Sequence, residues 1–82
     1  MKYSYEISAQ RAETTIDMVY FSGVDHFGYS DSFEEAEEKL SEYLDKYYQG
    51  YEITPMYRGK KAVKNNITVF FKIMTLREPW RD

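Results

Sequence analysis

The chain reads as a single α+β domain, ββαββ, with one amphipathic helix packed on one face of a four-stranded antiparallel sheet. Three patterns predict this. Near the start, Tyr3, Tyr5, Ile7 and Ala9 alternate with Lys2, Ser4, Glu6 and Ser8, the period of two that marks a half-buried strand. In the middle, a helix-start signal at Ser32 precedes apolar residues spaced three and four apart. Near the end, Ile67, Val69, Phe71 and Ile73 restore the alternation. Strands that arrive as hairpins pair antiparallel, and a single helix covers only one face of their sheet.

The first strand is expected over residues 2–9, with a short polar connection at 10–13. A second follows at about 14–22, placing Ile16, Met18 and Tyr20 on one side and Val19 and Phe21 on the other. Gly23 and Gly28 punctuate the next stretch, which reads as a loop holding a short extended piece around His26 to Tyr29. Ser32 and Glu35 form a capping box, and Asp31 and Glu34 add negative charge at the positive end of the helix dipole. Phe33, Ala36, Leu40, Tyr43, Leu44, Tyr47 and Tyr48 then share one helical face, and Gly50 supplies the stop. Residues 51–57 form the third strand, where Pro55 argues for an edge position. The basic stretch 58–66 connects it to the fourth, with Lys61 to Lys64 able to extend the ladder before an Asn65-Asn66 turn.

At 82 residues the chain is long enough for one core. A domain of this size hides only about 60% of the surface its open chain exposes, and no cysteine is present to add disulfides. Fifteen aromatics (nine Tyr, five Phe, one Trp) are the expected source of packing. A hydrophobic content of 43% argues against a disordered tail. No apolar run reaches the ~18 residues of a membrane span, and Met1-Lys2-Tyr3 opens straight into the alternating stretch rather than a signal peptide. A cytoplasmic protein with no membrane partner is the expectation.

Covering one face of the sheet leaves the other open, and that face would carry Val19, Phe21, Met56, Phe70, Met74 and Leu76. Either a twisted sheet curls over these side chains, or they form a contact surface for a second copy or another protein.

The net charge of −3 conceals a segregation. Residues 1–30 balance to −2, residues 31–50 to −5 and residues 51–82 to +4. On the helix, Glu35 to Lys39 and Glu42 to Lys46 have the favourable i,i+4 orientation. Glu34, Glu38 and Glu42 instead stack like charges along the outer side, with Asp45 beyond them. Two readings follow: a plain solvated face, or a row of negative charge that attracts a basic groove on a nucleic-acid-handling protein. Tyr48, Tyr57 and Trp80 are candidate aromatic anchors for such a contact, since Tyr and Trp dominate interface hot spots. The basic stretch offers a different possibility. Arg58, Lys60, Lys61 and Lys64 contain no acid among them and suit phosphate contacts, although the acidity of the remaining chain opposes direct nucleic-acid binding.

Catalytic chemistry finds little material. His26 is the sole histidine, and its neighbour Asp25 points to the opposite side in an extended segment. No serine sits in a nucleophile elbow, the four glycines are scattered rather than gathered into a phosphate cradle, and no Cys or His cluster offers a metal site. A non-enzymatic protein without cofactor or metal is expected.

The segment Ser30-Asp31-Ser32-Phe33-Glu34-Glu35-Ala36, which follows a strand pair and opens an amphipathic helix, resembles the corresponding turn of HicB-type antitoxin domains. A similar strand-to-helix junction occurs in the arm-binding domains of tyrosine recombinases. The likeness spans roughly residues 15–44, and Gly23-Val24-Asp25-His26 stands where the HicB pattern has Pro-Gly-Cys. It implies a small nucleic-acid-binding or antitoxin module, which would use the basic 58–64 stretch. In overall habit the acidic, Tyr-rich, cysteine-free chain is also similar to small phage accessory proteins, anti-CRISPR inhibitors among them. That likeness implies a binding protein that blocks a larger protein or nucleoprotein complex. Separately, the apolar open sheet face makes a homodimer a further partner option.

Overall fold

A computed structural model describes residues 4–76. The order is β1 (Tyr5–Thr14), β2 (Val19–Ser30), α1 (Phe33–Tyr47), β3 (Glu52–Met56), β4 (Gly59–Lys64) and β5 (Ile67–Thr75). The class is α+β with one helix, as the sequence implies, but the antiparallel sheet has five strands rather than four, in the order β2-β1-β5-β4-β3. The extra strand is the basic stretch. Ala62 is fully buried and pairs with Ile53 on one side and Val69 on the other, so this segment is an interior strand and not a connecting loop.

The first hairpin is longer than the sequence reading. Residues 10–13 continue β1, and the turn falls at Thr15 to Met18, closed by a bond from the Thr15 N–H to the Met18 carbonyl (2.7 Å). β2 then runs through Gly23 and Gly28 without breaking. Both glycines sit at register shifts: Gln10 faces Val24 while Ala12 faces Phe21, and Glu6 faces Tyr29 while Ile7 faces Phe27. These are β-bulges, each adding residues to β2 and turning it. At the first, the Ser22 hydroxyl oxygen accepts the Arg11 N–H at 3.1 Å. At the second, Gly28 takes φ +67°, and a side chain there would press on Ile7.

The helix begins at the expected N-cap, with the serine half of the capping box formed. Ser32 is extended and its hydroxyl oxygen accepts the Glu35 N–H at 3.1 Å. Tyr48 closes the other end, its N–H donating to the Leu44 carbonyl at 2.9 Å. Ala36, Leu40 and Leu44 face the sheet and pack with Ile7, Val69, Phe71 and Ile73. Tyr47, expected on this face, is instead exposed. Lys39 ties the helix to the β2 edge by donating to the Tyr29 carbonyl at 2.6 Å.

Lengths explain what stays uncovered. Fifteen helical residues span about 22 Å, whereas the twelve residues of β2 span about 40 Å. The distal part of the β1–β2 hairpin therefore projects past the helix. Both sheet edges carry protection against strand addition: bulges on β2, and brevity plus Pro55 on β3. The edge position expected for the Pro55 strand is the one found.

Candidate functional site

The helix turns four carboxylates to solvent. Glu34, Glu38, Glu42 and Asp45 are all exposed, and at 100° per residue they fall within one narrow stripe about 16 Å long. Among the described residues none of the four forms an ion pair. The helical ion pair that does form uses Glu35, whose carboxylate lies 3.7 Å from Lys39 Nζ. Lys46, an expected partner for Glu42, is placed over the Tyr47 ring, 5.2 Å from its centroid. The stripe is thus negative, rigid and not neutralised by the described part of the chain.

The candidate anchors divide. Tyr57 is 82% exposed in the β3–β4 turn, beside Arg58, whose guanidinium carbon lies 5.5 Å from the Tyr57 ring centroid. Tyr48 is half-buried at the helix end, its ring 5.2 Å from Phe71 and 4.8 Å from Tyr51. Burial raises its phenol pKa above the ordinary 10.0, with the neighbouring Tyr43 and Tyr51 adding to the effect. Trp80 lies outside the described residues.

The four cations do not converge. Arg58 occupies the turn in the left-handed region, φ 54°. Within β4, Lys60 and Lys64 share the face of Ala62, which is the helix side, while Lys61 points to the other. Lys64 lies 5.5 Å from the Tyr51 ring centroid. Strand alternation therefore divides a group that looks continuous in sequence.

On the face away from the helix, the sheet curls into a trough of about 490 Å³. Phe70, Lys72 and Met74 of β5 form its floor, with Val24 and His26 on one flank and Met56 and Tyr57 on the other. Both edge strands reach this trough, β2 through Val24 and His26 and β3 through Met56. Of the residues expected on the open face, Met56, Phe70 and Met74 line this trough. Val19 and Phe21 stand exposed on the projecting hairpin.

Here lies a pairing that sequence reading missed. His26 Nδ1 lies 2.9 Å from Glu6 Oε1, across twenty residues. The β1–β2 register brings them together, and no local spacing signals it. Ser8 stands directly opposite His26 in that register, yet its hydroxyl donates to the Lys72 carbonyl (3.5 Å) and to Met74 Sδ (3.6 Å). Among the described residues no Ser8–His26 hydrogen bond exists, so the three groups do not form a nucleophile–base relay. Nor is there a cluster of three or more metal-ligating side chains among the described residues. No helix among the described residues is long and apolar enough to cross a membrane.

Comparison of the chain with models of known protein families, with curated proteins and with solved structures finds no match.

Proposed function

We propose that the chain is a non-enzymatic binding protein that seats its acidic helix in a basic groove of a larger nucleic-acid-handling protein and blocks it, as a phage-type, anti-CRISPR-like inhibitor would. The observation that carries this reading is the unneutralised stripe of Glu34, Glu38, Glu42 and Asp45 on a capped, well-packed helix. Glu34 and Glu38, and Glu38 and Glu42, repel at i,i+4, each pair at a cost of a few tenths of a kcal/mol. A cationic partner relieves that repulsion, and the summed field accelerates encounter with a positive surface.

Blocking here is steric and electrostatic. The helix occupies sites that otherwise take phosphates, and its backbone is already ordered, so little entropy is lost on docking. Tyr57 is the proposed aromatic anchor among the described residues, being exposed in the two-residue β3–β4 turn. Because Tyr57 lines the trough on the face opposite the helix, a partner that meets both must wrap the sheet edge.

The test is reversal of Glu34, Glu38 and Glu42 to lysine in one variant. The fold is retained, because all three side chains are exposed, and capture of the partner is lost. Retention of the same partner with unchanged affinity removes the proposal.

A further inference from the structure

The molecule carries two apolar features that nothing within the described residues covers. One is the projecting hairpin tip, where Ile16 is 98% exposed and Met18, Val19, Tyr20 and Phe21 are each about half exposed or more. The other is the trough on the open sheet face. We propose that they fit each other: the chain forms a two-fold dimer in which each copy lays its Thr15–Met18 tip into the trough of its partner.

Three observations lead there. The tip is ordered rather than loose. The Thr15 hydroxyl oxygen accepts the Met18 N–H, Thr15 donates to the Met18 carbonyl, and the Tyr20 hydroxyl reaches Met18 Sδ at 3.3 Å. Ile16 is thus held in water by a preformed turn, an arrangement that favours a binding element. The chemistry of tip and trough is also complementary. Asp17 sits between Ile16 and Met18, and Lys72 sits between Phe70 and Met74 on the trough floor. An acid flanked by apolar groups meets a cation flanked by apolar groups, and among the described residues neither Asp17 nor Lys72 has an ion-pair partner. Finally, the edges of the sheet are blunted by bulges and Pro55, so face docking is favoured over strand-to-strand addition. A two-fold axis satisfies tip-to-trough contact twice with one surface and closes the assembly. The acidic helices lie on the face opposite the trough and stay outward on the dimer, so the helix contact proposed above is independent of it, whereas Tyr57, which lines the trough, is open to that partner only in the monomer.

Sedimentation of the purified chain at about 100 μM, within the range that modest interfaces reach, tests it. The wild type sediments as a dimer. Ile16→Asp, at a site too exposed to affect folding, is monomeric. Asp17→Lys and Lys72→Glu each weaken self-association by about ten-fold or more, and the double variant Asp17→Lys/Lys72→Glu regains it. A monomeric wild type, a dimer that survives Ile16→Asp, or a double variant no tighter than either single one overturns the proposal. Far-UV circular dichroism on each variant verifies that the fold is intact.

Discussion

The ring of Tyr48 meets the ring of Phe71 edge-on, with centroids 5.2 Å apart and planes at 90°. This contact joins the last turn of the helix to the middle of a central strand, and Tyr43 and Tyr51 complete the cluster at 5.9 and 4.8 Å from Tyr48. Burial there lifts the Tyr48 pKa above 10.0. The folded state thus holds the phenolic proton more tightly than the unfolded chain. The resulting stability is fully present below pH about 10 and is lost as pH rises through the raised folded value. Urea titrations from pH 8 upward are expected to show this decline, and Tyr48→Phe is expected to lessen it.

Ser32 caps the helix through a single hydroxyl. Ser32→Ala should cost about 1 kcal/mol of stability, read as a lower urea midpoint with an unchanged slope. Restoring a capping side chain with Ser32→Asp should recover most of the loss.

Gly59 permits the close approach of β4 to β5. A methyl group there would fall inside contact distance of the Phe71 carbonyl oxygen, a backbone atom that cannot swing aside. Gly59→Ala is expected to destabilise by about 1–3 kcal/mol or more. Gly23→Ala, where a side chain meets nothing within 4 Å, is expected to stay within about 0.5 kcal/mol of the wild type. Thermal melts of the two variants side by side measure the difference.

Much of this architecture is legible in the residues, and the failures share physical causes. The capping box and the spacing of Ala36, Leu40 and Leu44 mark the helix, because cap chemistry and periodicity are local. Likewise, the alternation of Ile67, Val69, Phe71 and Ile73 marks β5. Gly23 and Gly28 read as loop punctuation, whereas bulges let a strand pass through them. Arg58 to Lys64 reads as a polar connection because only Ala62 and Val63 are apolar, yet an interior strand at the thin end of a small sheet needs only one small buried side chain, Ala62. Of the candidate surfaces, the acidic stripe is local to one helix and hence visible in sequence. The Glu6–His26 pair and the trough depend on strand register, which no short window encodes.

The stripe itself is the part of the account most open to direct measurement. Wild-type chain and the Glu34→Lys/Glu38→Lys/Glu42→Lys variant, immobilised in parallel, are exposed to lysate and the retained proteins quantified by mass spectrometry. The expected result is a nucleic-acid-handling protein bound by the wild type, released by raised salt, and missing from the variant. Equal retention by both chains, or wild-type retention of no such protein, contradicts the account.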